Sequence, residues 1–264
     1  MEIKTSIEGV LIYLAMAAYL AAATMFFMRR KRDGFTLFIG GFVFAAVAFV
    51  YRWINVDHIP LQNMFEVFLC LGMIVFPLSY FCLRFLRVGG VAADAIIGFI
   101  TLFPAGFVFD EEPQLLPPAL QSHLFLPHVA SYMISYMLMA KAAVLAVRQM
   151  TSRDECGEAG LVSYETATYK TVRLGFPLLT LGLVLGAVWG KIAWGDYWNW
   201  DPKELWSLVS WLIFVFYFHF RFQYRRLFPR VGSALVVAGM AAIVITLLWV
   251  NLSRIFPGMH SYAT

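Results

Sequence analysis

Charge is scarce in this sequence of 264 residues: only 14% of its positions are Asp, Glu, Lys or Arg, against about 25% in ordinary soluble domains. That shortage excludes a solvated globular enzyme and a disordered chain alike. Cysteine is nearly missing too. Cys70 and Cys82 share one apolar segment and Cys156 stands in a polar one, with no Cys-x-x-Cys, so neither a disulfide scaffold nor a cysteine metal module is indicated. There is no internal repeat and no low-complexity stretch. The longest polar segment, about 151–173, is too short for a soluble domain and reads as a linker. The net charge of +4 says nothing of nucleic acid until the charges are placed by side, and no nucleic-acid partner is expected.

What the chain does contain is hydrophobic: 61% of residues are apolar and 17% aromatic, with a mean hydropathy of +0.73. Runs of about 18 or more apolar residues occur at roughly 8–28, 34–53, 64–83, 91–108, 128–150, 174–193, 204–222 and 232–250. They predict an all-α, polytopic membrane protein of about eight transmembrane helices, with 1–264 forming a single integral membrane domain. An even number of spans puts both termini on one side. Arg29, Arg30, Lys31 and Arg32, then Arg84 and Arg87, then Arg148, Arg153, Lys170 and Arg173, then Arg221, Arg225, Arg226 and Arg230 all fall on the opposite side, fourteen of the 20 cations. By the positive-inside rule that face is cytoplasmic and both termini are extracytoplasmic. The first span follows Glu2 and Lys4 and precedes its basic cluster, the pattern of an anchor and not of a cleavable leader.

Between the sixth and seventh spans stands the most unusual stretch, Trp194-Gly-Asp-Tyr-Trp-Asn-Trp-Asp-Pro-Lys-Glu-Leu-Trp206, holding four of the eight tryptophans. An interfacial aromatic belt accounts for one or two such rings. It does not account for four interleaved with Asp196, Asp201, Lys203 and Glu204. Pro202 suits the first turn of the seventh helix with Asp201 as its N-cap, so the preceding tryptophans form a shaped outer loop, a platform for a large flat apolar ligand. Of the five histidines, His58, His123, His128 and His260 fall outside or at outer span ends. His219 lies 15 residues beyond Glu204, on the order of 22 Å down the seventh span. An imidazole at that depth requires a hydrogen-bond partner or a metal, or else snorkels toward the Arg221 region.

The run WGDYWNWDPKE closely resembles the tryptophan-rich WWD signature of the cytochrome c assembly family. The resemblance extends to His128 in LPHVASYMISY, to His260 in GMHSYA and to His219, covering about 120–264, with weaker similarity around HIPLQNMFEVF at 58–68. Eight spans and a histidine at the far C-terminus are similar to the CcsA (ResC) type, the system II branch. The resemblance implies haem b (iron protoporphyrin IX) presented at an extracytoplasmic WWD loop, about 194–204. His128 and His260 would be axial ligands on its two faces, and His219 would ligate an inner haem whose second ligand comes from a CcsB (ResB) partner. It implies that haem is carried across the membrane and offered for thioether attachment to the Cys-x-x-Cys-His of apocytochrome c, within a holocytochrome c synthase active only with that partner. A thioredoxin-like thiol reductant is a further implied partner. The implied membrane is the bacterial cytoplasmic one, with the thylakoid as alternative.

The chemistry of the residues agrees with that expectation. Haem iron takes two axial ligands on opposite faces, and neutral imidazole is a good one. Trp194, Trp198, Trp200 and Asp201 would shape the platform. The propionates need cations or backbone donors, and the outer cations are few: Lys4, Arg52, Lys191, Lys203 and Arg254. Lys203 and Arg254 are the first candidates, although Lys203 could pair with Asp201 or Glu204 and Arg254 could lie at the headgroups. His58 is a secondary ligand candidate beside Asn63 and Glu66, which are expected to cap the third span. His123 reads as a loop histidine, and Lys141 as an inner propionate partner or a snorkelling lysine. Three rival functions stay open: haem delivery to a chaperone in the CcmC manner, a b-type haem electron-transfer subunit, and a transporter of apolar substrates.

Overall fold

The computed structural model describes residues 3–152, 160–225 and 227–249, with Ala119 and Trp249 described by their backbone alone. These residues form eight α-helices: α1 (Ile7–Phe27), α2 (Lys31–Val56), α3 (Met64–Leu86), α4 (Val91–Phe107), α5 (Phe125–Thr151), α6 (Tyr164–Trp194), α7 (Pro202–Tyr224) and α8 (Pro229–Val244). The last continues as a π-helical turn, Ile245–Trp249. Seven of the eight are long and apolar enough to cross a membrane, α8 being counted with its π-helical continuation as Pro229–Leu248. The exception, α4, has 17 residues, about 25 Å of helix, at the lower limit of a span. Helix α6 begins ten residues before its apolar run, because hydropathy marks the stretch that lipid can cover, whereas the helix itself runs back to its N-cap, Ser163.

Within the described residues the helices form two compact units, divided as Met1–Leu83 with Gly90–Leu120 and Arg84–Gly89 with Gln121–Thr264. Tyr19 is the keystone of the first. Its ring is fully buried and lies between Gly41 of α2 and Gly98 of α4, where an added Cβ would come within 2.3 and 2.7 Å of ring carbons. Its hydroxyl donates to the Gly72 carbonyl of α3 at 2.9 Å. One aromatic side chain thus locks four helices, and it does so because two glycines leave its faces clear.

The same unit buries charge at the end that carries residues 57–63. The Arg52 guanidinium, 1% exposed, donates to Glu66 at 3.0 Å, to Glu8 at 3.5 Å and to the Glu111 and Glu112 carbonyls. Glu66 belongs to a reciprocal cap: its N–H donates to Asn63 Oδ1 at 2.9 Å, and its carboxylate accepts from the Gln62 N–H at 2.8 Å. Asn63 and Glu66 therefore cap α3 as expected from sequence.

In the second unit α5 packs against α6 and α8, and α7 against α8. The core comprises Met139, Ala142, Ala146, Val172, Leu179, Phe214, Tyr217, Val236 and Ile243. Large side chains bridge α6 and α7. Phe176 stacks on Trp211 at 5.8 Å, whose Nε1 donates to Thr180 Oγ1 at 3.0 Å, and Arg221 pairs with Glu165 at 2.7 Å over the Tyr169 ring. Lys141 is buried and does not snorkel: its Nζ donates to the Gly89 carbonyl at 2.8 Å, while Lys170 donates to the Leu86 carbonyl at 3.0 Å. Lys170 thus satisfies a carbonyl that the last residue of α3 leaves open, and Lys141 one in the connection that follows it.

Candidate functional site

The tryptophan loop is tied down at each end. At the close of α6 the Gly195 N–H donates to the Lys191 carbonyl at 3.1 Å, with Gly195 in the left-handed region (φ 91°), and the Lys191 ammonium returns to the Gly195 carbonyl. At the start of α7, Asp201 accepts from the Lys203 N–H at 2.9 Å and Pro202 opens the helix. Glu204 completes a capping box. Its Oε2 accepts from the N–H groups of Asp201 at 3.1 Å and of Asn199 at 2.8 Å. Those two bonds bracket Trp200, which adopts φ 58°, uncommon for a bulky residue, and is 65% exposed. Trp198 meets Trp200 edge-on at 5.9 Å. Its Nε1 is buried and has no hydrogen-bond partner among the described residues.

His128 stands in the first turn of α5, and the fold brings it to the tryptophans through Trp189. The Trp189 ring, 2% exposed, stacks on the imidazole at 5.8 Å and 23° and meets Trp194 edge-on at 4.8 Å. Tyr132 borders the imidazole edge-on at 5.1 Å. His128 Nδ1 lies 2.8 Å from the Gly182 carbonyl of α6. Gly186, one turn on, leaves room for the ring: a Cβ there would sit 2.5 Å from His128 Cε1 and 2.9 Å from Nδ1. Trp194, Trp189 and His128 form one continuous aromatic group.

The other candidates are distributed as follows. His260 and Arg254 lie outside the described residues. His219 is exposed on α7, with Nδ1 at 2.9 Å from the Val215 carbonyl one turn back, so its ring faces away from the second unit's core. His58 is half-buried in the first unit; Nδ1 approaches the Ile59 carbonyl at 3.1 Å, and Nε2 is buried without a hydrogen-bond partner among the described residues. His123 is exposed in the turn before α5. Asp201 serves the α7 cap, and Lys203 follows in its first turn. Two of the remaining cations are engaged: Arg52 in its carboxylate network, and Lys4 through Nζ to the Phe109 carbonyl at 2.5 Å. Burial lowers the Lys4 pKa from its ordinary value, against the pull of Glu111 and Asp110.

Sequence reading missed Trp189, Glu204 and the pair Gly182 and Gly186. Two of these carried a signal. Asp201-Pro-Lys-Glu204 has the Asp-x-x-Glu spacing of a capping box, and glycines four apart mark one face of a helix open to close approach. A lone tryptophan in an apolar span carries no such signal for Trp189.

The family model described as Cytochrome C assembly protein matches residues 7–257. The chain belongs to the cytochrome c assembly family. Within it, the cytochrome c biogenesis protein CcsA of Guillardia theta is 30% identical over 244 residues, 80% of this chain and 79% of that one. CcsA of Prochlorococcus marinus strain MIT 9303 is 32% identical over 252 residues, covering 81% and 78%. CcsA of strain CCMP1986 is 28% identical and covers 97% of this chain and 92% of its own. Among solved structures, the cytochrome c haem lyase CcmF superposes with a TM-score of 0.72 at 18% identity, over 94% of this chain and 48% of that chain. The chain thus spans about half of the CcmF protein, whose likeness is one of fold. Membership of the CcsA-type family makes this a multi-pass membrane protein of cytochrome c maturation and haem handling.

Proposed function

We propose that this chain presents haem b, carried across the membrane, to apocytochrome c at the 194–204 loop, with His128 and His260 as axial ligands. The observation that carries the reading is the stacking of His128 on Trp189 beneath Trp194, which joins a potential iron ligand to the tryptophan loop in one rigid group. The residues suit a porphyrin. Trp198 and Trp200 offer faces near the surface, and the buried Trp198 N–H is a donor of the kind a propionate needs. When bound, the haem supplies vinyl groups for attack by the two thiols of a Cys-x-x-Cys-His segment. The chain's part is to orient: imidazoles hold the iron, indoles hold the plane, and an exposed loop leaves an edge open to the client.

In this reading the loop side and both termini are extracytoplasmic, following the basic residues on the opposite face. The membrane is the bacterial cytoplasmic membrane, with the thylakoid as the alternative. Attachment requires a CcsB (ResB) type partner, and a thioredoxin-like reductant keeps the client thiols reduced. His219, turned away from its own core, suits an inner site completed by that partner. Lys203 and Arg254 are propionate partners. The test is replacement of His128 and His260, singly, by Gly. Each should lose the haem absorbance of the purified protein and regain part of it with added imidazole. Unchanged haem content in both variants would refute the assignment.

A further inference from the structure

Ring packing and hydrogen bonding confine the half-buried His128 more closely than a ligand projecting into open space would require. Its Nδ1 is 2.8 Å from the Gly182 carbonyl. A carbonyl only accepts, so Nδ1 carries the proton. Trp189 covers one ring face and Tyr132 closes an edge. At Gly186 even a methyl group would fall 2.5 Å from Cε1 and 2.9 Å from Nδ1, the atom that meets the Gly182 carbonyl, so any side chain there displaces the ring.

We propose that the Gly182 carbonyl, the missing side chain of Gly186 and the Trp189 face together form a positioning device that sets both tautomer and plane of His128. They make Nε2 the iron-binding atom. The inference rests on His128 being a haem ligand, as proposed above. Two consequences follow. The Nδ1–H bond increases the basicity of the ligating nitrogen, and a stronger donor favours ferric over ferrous iron, so the device lowers the reduction potential of the bound haem. A fixed ring plane also gives a single low-spin signature in place of a distribution. Gly182, Gly186 and Trp189 touch no iron; they act through His128.

The experiment uses the full chain with histidine labelled in 15N. In the haem-free wild type, the His128 resonances should show Nδ1 protonated and Nε2 unprotonated. Gly186→Ala should mix the two tautomers, weaken haem binding on the order of 10- to 100-fold, raise the reduction potential of the remaining haem and broaden its low-spin electron paramagnetic resonance. Gly40→Ala, where an added Cβ meets nothing within 4 Å, controls for glycine replacement in a helix and should match wild type in every readout. If Gly186→Ala does not accumulate, the wild-type tautomer decides alone, and an Nε2-protonated ring overturns the proposal. If His128→Gly loses the haem while Gly186→Ala keeps wild-type affinity, potential and tautomer, the positioning role falls and the ligand assignment stands. If His128→Gly retains its haem, the ligand assignment itself fails.

Discussion

Removing the Glu204 carboxylate should collapse the display of Trp200 while leaving the helices intact. Its Oε2 takes the N–H groups on both sides of Trp200, from Asn199 at 2.8 Å and Asp201 at 3.1 Å. Between them Trp200 holds φ 58°, a left-handed conformation that costs a residue with a Cβ about 1–2 kcal/mol. Loss of a helix cap typically costs about 0.5–2 kcal/mol. In Glu204→Ala the strain at Trp200 is no longer offset, and the loop can relax by returning Trp200 to negative φ. At 1.4 kcal/mol per tenfold, a loss of that size lowers the population of the displayed loop roughly 2- to 30-fold. Glu204→Gln keeps an acceptor without the charge and should fall between. Haem per polypeptide in purified protein reads the binding consequence, and limited proteolysis within 195–201 reads the loop directly. Abundance in the membrane should be close to wild type, since the box holds only the first turn of α7. Haem content and proteolysis rate both unchanged in Glu204→Ala would refute the claim that this carboxylate shapes the platform.

Further outcomes are expected elsewhere. Arg52→Met strands two buried carboxylates and should destabilise the protein by about 3–5 kcal/mol, seen in a Cys156→Ser background as labelling of the buried thiols Cys70 and Cys82 at lower temperature. Adding Glu66→Gln should recover part of the loss, and unchanged labelling of Arg52→Met would show that the network contributes little. His219→Ala should lower haem stoichiometry only in preparations containing a CcsB-type partner. Equal stoichiometry for wild type and variant, with and without partner, would leave His219 a lipid-facing residue.

Periodicity and composition were sufficient for the membrane class and the number of helices, because a bilayer demands long apolar runs with satisfied backbones whatever the fold. Local chemistry was equally legible: Asp201 before Pro202 marked the start of α7, and Asn63 with Glu66 the start of α3, since caps depend on residues three or four apart. The WWD run declared the family on its own residues. Charge roles were legible only in part. Lys141 read as a snorkelling or propionate-binding cation, yet it turns to the Gly89 carbonyl, a partner 52 residues away that no local pattern discloses. Arg52 likewise stood among the outer cations, and its carboxylates come from two other helices. The aromatic group at His128 is also tertiary. Trp189 and His128 lie 61 positions apart in the sequence, and they meet because glycines on α6 admit the rings of α5. Sequence determines which side chains are available and how each helix begins and ends; close packing between helices decides which of them touch, because that depends on which faces lack a Cβ and how near the backbones can come.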